Sequence, residues 1–529
     1  MIIKVIKLIG LVLCMACLLW GCESARDYIE KEEKPTRPKN YYMEQYRAAF
    51  HFTPEKNWMN DPNGMVYYNG EYHLFYQYNP FGQKWGHMSW GHAVSKDLLY
   101  WEHLPIALYE EKNASDADTT MIFSGSAIID RDNSAGLCDG RGDCMVAFYT
   151  GHVHNNLEAV NQNQSIAYSR DRGRTWTKYE GNPVLDIGEK DFRDPKVFWH
   201  EPTEKWIMSV NLPLEYKVQF YGSTDLKNWE LLSEFGNAGD KSRVWECPDL
   251  FPLPLADDED VEKWVLVISS GHPHTGFVGM QYFIGDFDGT TFTPTEPTES
   301  PIWLEYGKDF YAAVTWNNTE TRKILLGWLN NWEYANDIPT DPWRGMMSIP
   351  RELGLQQFEE GIRLVQKPIE ELKKIRGEHH DFSNINVTEE DETLSHIRTN
   401  TAEIIIDATI SDSSEFGIEV LKTKEESTII GYDVIKQELF INRINSGNTE
   451  FNEKFPSIDR APLLLQDGQL KLQIFIDKSV VEVFANDGYR VMTSRVFPTE
   501  QGNYLKLYSK GKPTTINQLE VWEMNSTWQ

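Results

Sequence analysis

From about Phe50 to Pro350 apolar and polar residues alternate in short runs broken by Gly, Pro, Asn and Asp, with almost no helical period. Such a pattern predicts strands joined by turns, and so an all-β region. Hairpins are legible in GMVYYNGEYHLFYQYN, KVFWHEPTEKWIMSV, DLFPLPLADDEDVEKWVLVIS and YAAVTWNNTETRKILLGWL. One phrase recurs with them: SKDLLYWEH from Ser95, SRDRGRTWTKY from Ser169, STDLKNWELL from Ser223, and a looser GDFDGTTFTP from Gly285. Each joins a Ser or Gly, an Asp, a short turn and an aromatic residue that enters a strand. Irregular repeats of roughly 50 to 75 residues with about four strands apiece predict propeller blades rather than one large sandwich. The repeats predict a five-bladed β-propeller.

Past the propeller, PIEELKKIRGEHH predicts a helical bridge, with acids early and basic residues late. Alternation returns from about Asp381 in AEIIIDATI, EFGIEVLK, LKLQIFIDKSVVEVFANDG and NYLKLYSKG, which predicts a two-sheet C-terminal β-sandwich. The expected organisation is a catalytic propeller over 44–352, a linker over 353–380 and a sandwich over 381–529.

Length and charge narrow the class. A chain of 529 residues accommodates two or three domains, and 40% hydrophobic with 13% aromatic residues marks it as globular and rich in rings. A formal net charge of -29 repels polyanions, so nucleic acid is excluded as a partner, while an uncharged polymer meets no such penalty. Lys4 and Lys7 followed by the apolar run Leu8–Trp20 predict an export signal over 1–21. Its end, Leu18-Leu19-Trp20-Gly21-Cys22, resembles a bacterial lipobox, which implies cleavage before Cys22 and lipidation there. The polar stretch that follows reads as a tether over 22–43. The expectation is an exported lipoprotein held to the cell envelope by its lipid alone. Cleavage leaves Cys22, Cys138, Cys144 and Cys247; an exported chain can bridge Cys138 to Cys144, which leaves Cys247 alone. Past the export signal no CxxC or HExxH spacing occurs, so neither a metal nor a cofactor is inferred.

The phase of the repeats bears on chemistry. Asp61, Asp194 and Glu246 each stand just before a hairpin, and each is followed within two residues by Pro62, Pro195 or Pro248. Any one of them reads as an ordinary turn acid. In a propeller, however, equivalent strand starts converge at one mouth of the central channel, so these acids are expected to share a pocket. Carboxylates without metal ligands suit glycoside hydrolysis, where one attacks and another protonates the leaving oxygen. Their pKa values must be pushed apart. Arg193 is expected to keep Asp194 ionised, Trp245 and Cys247 to favour protonated Glu246, and Asp61 beside Asn60 to ionise most readily. Trp58, Tyr76, Trp85, Trp90, Phe123, Trp328 and Trp332 offer rings for the apolar face of a sugar, although most such rings serve as core.

NWMNDPNG, YHLFYQYNP, WGHMSWGHAVSKDLLYWEHLPIAL, FSGS, FRDPKVFW, WECPDLF and GWLNNWEYANDIPTDPWRGMMSIPREL together resemble glycoside hydrolase family 32, the fructan hydrolases and invertases, over nearly all of the mature chain. The resemblance implies a five-bladed propeller followed by a β-sandwich. It implies that Asp61 is the nucleophile forming a fructosyl-enzyme intermediate, Glu246 the acid/base and Asp194 the stabiliser of the ring. Asn60, Gln77, Trp85, Phe123, Ser124, Arg193 and Trp332 match positions lining the terminal fructose pocket. The substrate class implied is fructan, fructo-oligosaccharide or sucrose, with exo release of fructose.

Competing readings are an endo-acting levanase or inulinase, a fructosyltransferase, and a fructan-binding propeller without turnover. An inverting propeller glycosidase fits neither N-D-P-N-G nor E-C-P. Elsewhere, His87 and His92 read as core or pocket-wall residues, since no third metal ligand is in view. The RGD triplet in GRGDC reads as chance, and ADDEDVEK as a solvated hairpin tip. Asp477 and Glu482 in FIDKSVVEVFANDG, which resembles the family's C-terminal signature, read as packing residues rather than a second active site, for want of aromatic or cationic companions.

Overall fold

The computed structural model describes residues 41–528 apart from 113–118, 139–143, 156–157, 411–412 and 500–501. The export signal, Cys22, most of the tether and the RGD triplet lie outside the described residues. Gln45–Gln529 forms one unit. The helical elements among the described residues are short 3-10 turns at Glu201–Thr203, Pro213–Glu215 and Glu370–Ile375; strands account for the rest of the regular structure.

The N-terminal part is a propeller of curled antiparallel meanders. The first sheet holds Asn57–Tyr68, Glu71–Asn79, Ser89–Ser95 and Trp101–Leu108, the second runs from Glu111–Lys112 to Thr177–Lys178, and the third from Arg193–His200 to Glu230–Gly236. A nine-stranded sheet then contains two meanders, Glu246–Pro294 and Tyr311–Pro368, joined by the parallel pairing of Leu255 with Leu355. The ring closes where Trp343–Arg344 pairs in parallel with Asn57–Trp58. Adjacent sheets pack face to face: Phe75 and Trp90 meet Ile122, Ala147 and Tyr149, and Ile128, Val146 and Phe148 meet Val197, Met208 and Tyr221. Each fully buried aliphatic or Phe side chain in these layers contributes about 1.5–3 kcal/mol.

The recurrent phrase proves to be a turn device. Ser95, Ser169 and Ser223 donate from Oγ to Asp97, Asp171 and Asp225, two residues on. Those carboxylates accept backbone N–H groups of the turn. Trp101, Trp176 and Trp229 then donate from Nε1 to the carbonyls of Leu98, Gly173 and Leu226. In the looser copy Asp288 caps Thr290 and Thr291 without a tryptophan. Bonds made by the carboxylate hold each turn, so the sequence repeats where the geometry repeats.

The inner strands are stitched across the central channel. Ser126 Oγ donates to the Pro195 carbonyl and accepts from Val197 N–H. Lys196 Nζ donates to the Thr315 carbonyl at 2.6 Å and to Asp249 Oδ2 at 3.1 Å. Asn317 bonds to Met65, Tyr67, Ala127 and Val197. These side chains form a polar plug below the strand starts.

The stretch expected as a helical linker is mostly strand. Arg351–Phe358 and Gly361–Pro368 belong to the nine-stranded sheet, and Arg376–Val387 pairs with Thr514–Met524 in the C-terminal sandwich. Only Glu370–Ile375 is helical, as a 3-10 turn burying Leu372 and Ile375. Tertiary burial of those two residues, together with β-pairing on either side, overrides the helical propensity of EELKK. The sandwich stacks a six-stranded on a five-stranded sheet over an Ile-, Leu- and Val-rich core. Asp477 and Glu482 are fully buried, and they do have cationic companions. His51 bonds to both, at 2.8 and 2.9 Å; Asp477 also accepts the N–H groups of Ala49, Phe50 and His51, and Glu482 pairs with Arg351. They pin the propeller's first segment to the sandwich.

Candidate active site

The inner strands share an irregularity at one end. Register slips fall between Met59 and Pro62, Ile122 and Gly125, Arg193 and Lys196, Glu246 and Asp249, and Tyr311 and Val314. Asp194, Cys247 and Ala312 adopt left-handed backbone there, with φ of 69°, 49° and 54°. Such bulges re-aim side chains, and strained non-glycine residues of this kind concentrate at functional sites. The prolines fit because a bulge needs no ladder donor from Pro62, Pro195 or Pro248. Gly125 serves the second strand, where a Cβ would lie 2.0 Å from the Phe148 carbonyl oxygen. The bulges turn Asp61, Ser124, Asp194 and Glu246 towards one mouth of the channel.

Asp61 accepts from Asn60 Nδ2 on Oδ1 at 2.9 Å and from Ser124 Oγ on Oδ2 at 2.7 Å. Asn60 is itself held by Trp58 Nε1 at 2.7 Å. Asp194 Oδ2 accepts the Cys247 N–H at 2.9 Å, and Cys247 Sγ lies 3.8 Å from Asp61 Oδ2. Glu246 takes Arg193 on Oε1 at 3.1 Å and the Tyr311 hydroxyl on Oε2 at 2.6 Å. Arg193 is further fixed by Asp191 and Gln162. Trp332 stacks on Trp58 with centroids 5.8 Å apart, over a buried Trp328. Trp85 stands 42% exposed at the rim, edge-on to Phe123, which stacks on His152 at 4.2 Å. Gln77 is buried behind this layer, its amide donating to Asn63 Oδ1 and the Ile122 carbonyl.

The electrostatics differ from the sequence expectation. Burial raises the pKa of Asp61 against the hydrogen bonds of Ser124 and Asn60, and the Glu246 charge adds to the rise. Burial raises Asp194 as well, opposed by the Arg193 guanidinium. Arg193 bonds directly to Glu246 rather than to its sequence neighbour Asp194. Trp245 does not border Glu246: successive strand side chains point to opposite faces, and this ring lies in the core against Phe235 and Phe283. Cys247 serves the other two acids instead.

Tyr311 was not picked out from the sequence, yet it begins an innermost strand as the acids do, and that positional rule would have found it. Of the two histidines flanking Trp90, His92 is buried against Phe75 and bonded to His73, while His87 pairs with Glu110 at the surface. Cys138 and Cys144 are joined by a disulfide, and Cys247 is a buried free thiol. Among the described residues, the grouping with metal-ligand spacing is Glu378, His380 and Glu523, in the sandwich rather than at the channel mouth.

Carboxyl groups gathered without metal ligands, one open to solvent and held by an arginine, with indole rings beside them, define a glycoside hydrolase site. Residues 51–368 match the description "Glycosyl hydrolases family 32 N-terminal domain", and residues 371–523 the corresponding C-terminal domain. The chain belongs to glycosyl hydrolase family 32. It is 47% identical over 499 residues to a levanase of Bacillus subtilis, covering 92% of this chain and 72% of the relative. It is 40% identical over 517 residues to an extracellular exo-inulinase of Aspergillus ficuum, covering 92% and 96%. The crystal structure of the Aspergillus awamori exo-inulinase superposes with a TM-score of 0.86 at 39% identity, over 92% of this chain and 100% of that one. A β-fructofuranosidase of Schwanniomyces occidentalis, solved with fructosyl-erythritol, gives 0.82 at 33% identity, over 92% and 99%.

Proposed function

We propose that this glycosidase releases terminal fructose from fructans and sucrose by double displacement with retention. The observation that carries the reading is the bonding around the acids: Ser124 and Asn60 orient Asp61, while Arg193 and Tyr311 hold the more exposed Glu246. Asp61 attacks the anomeric carbon of the fructosyl unit as protonated Glu246 gives its proton to the leaving oxygen. Glu246, now a carboxylate, takes a proton from water, and that water's oxygen displaces Asp61 to give fructose. Asp194, with Cys247 N–H on Oδ2, accepts sugar hydroxyls as positive charge develops in the ring. The levanase and exo-inulinase relatives support fructan as substrate and exo action. A time course on inulin, levan and sucrose tests this: fructose must appear from the outset, and early oligosaccharides would favour endo cleavage. NMR of the first product distinguishes β-fructofuranose, the retained anomer, from the inverted one.

The lipobox-like end of the export signal supports attachment of the mature chain to the cell envelope through a lipid on Cys22. Cys22→Ala is expected to move the enzyme from the membrane to the soluble fraction without loss of specific activity; a native chain already soluble would overturn the anchor.

A further inference from the structure

On the far side of the polar plug the channel opens into a second cavity of about 870 Å³, lined by Lys196, Asp249 and Lys323 and walled by Phe198, Trp199 and Trp264. The inner strands run into it from the catalytic mouth: Lys196 follows Asp194 by two positions and Asp249 follows Glu246 by three. Asp249 is fully buried, and only one of its oxygens is used. Oδ2 accepts Lys196 Nζ and Thr315 N–H, while Oδ1 has no partner. The Lys323 ammonium makes no hydrogen bond or ion pair among the described residues; it lies 5.4 Å from the Phe251 ring centroid. A buried acceptor and an uncommitted donor in one cavity call for a ligand with both functions.

The charges select its class. Asp130, Asp132, Glu201, Asp249 and Glu262 line the cavity and disfavour an anion, while Arg131, Lys196 and Lys323 in the same lining disfavour a cation. A neutral polyol meets every condition, since a hydroxyl donates to Asp249 Oδ1, another oxygen accepts from Lys323 Nζ, and C–H faces lie on indole rings. Trp199 is 41% exposed, so the rings reach solvent. The volume falls in the usual range for small-ligand sites, about 300–1,000 Å³.

We infer that this opposite mouth of the propeller is a second, non-catalytic saccharide site for a short neutral oligosaccharide, with Asp249 and Lys323 as its polar contacts. The choice of a fructo-oligosaccharide as ligand rests on the function proposed above; the site itself does not. Calorimetric titration of 1-kestose into the full chain carrying Asp61→Asn tests it. Two sites per chain are expected, and adding Lys323→Met should weaken one at least tenfold while leaving the other unchanged. Trp199→Ala, a surface change, should weaken the same site. Lys323→Met alone should keep sucrose turnover within twofold of the native chain. A single site, or two sites insensitive to Lys323→Met and Trp199→Ala, overturns the inference and leaves the catalytic proposal standing. Failure of the native chain to release fructose overturns the catalytic proposal, while the response to Lys323→Met still decides this one.

Discussion

The Tyr311 hydroxyl donates a hydrogen bond of 2.6 Å to Glu246 Oε2. Tyr311 is fully buried, and burial with the adjacent Glu246 charge raises its phenol well above the ordinary range, so it stays a donor at any working pH. With Arg193 on Oε1, it fixes the plane of the carboxyl group that the proposed mechanism asks to give and take a proton.

Tyr311→Phe keeps the ring and removes the donor. It is expected to lower kcat on sucrose about 10–100-fold, the scale of one lost hydrogen bond to a charged group, with KM nearly unchanged. Unchanged kcat would remove Tyr311 from the acid/base machinery.

Asp61 and Asp194 are held against their own burial, which raises both carboxyls. A carboxyl raised in the folded state costs nothing below its unfolded value of 3.8, and costs stability as pH rises beyond it. Asp194→Asn keeps an acceptor for the Cys247 N–H and deletes the charge. Scanning calorimetry is expected to show a melting temperature about 1–3 °C above wild type at pH 7.5, with no gain at pH 3, alongside a loss of kcat by orders of magnitude. A lower melting temperature at pH 7.5 would contradict this account.

His51 works in the opposite direction. Asp477 and Glu482 overcome its burial and raise it from 6.5 to about 9. Its contribution is complete below pH 6.5 and is lost as pH rises through about 9. His51→Asn is expected to cost about 3 kcal/mol at pH 6, as for a broken buried ion pair, and to flatten the fall in stability between pH 6.5 and 9. Denaturant titrations at three pH values measure both effects.

The Cys138–Cys144 bridge closes a short loop, with a sequence separation of 6. On loop-closure entropy alone, the Cys138→Ser, Cys144→Ser double variant is expected to lose about 2 kcal/mol. Its sucrose turnover should match the native chain, since neither residue contacts the acids. A change in kcat would show coupling between this bridge and the pocket.

Much of the molecule is legible along the chain. Alternation marks the strands, the Ser-Asp-Trp phrase marks the turns, and the shared phase of Asp61, Asp194 and Glu246 puts them at equivalent strand starts. These features are local: each depends on residues a few positions apart, bonded to their own backbone or to the next strand. EELKK shows where local reading fails, because burial of Leu372 and Ile375 and β-pairing on both sides reduce an apparent helix to one short turn.

What the sequence determined by itself is the strand-and-turn character of the propeller and sandwich and the presence of three acids in register. Which group each acid meets was decided only when distant strands came together. Arg193 reaches across to Glu246, Cys247 bridges Asp61 and Asp194, and His51 finds Asp477 and Glu482 more than 400 positions away. The reason is physical: strand propensity and turn bonding act over short separations, whereas desolvation and charge pairing depend on distance in space, which the alternation of side chains does not encode.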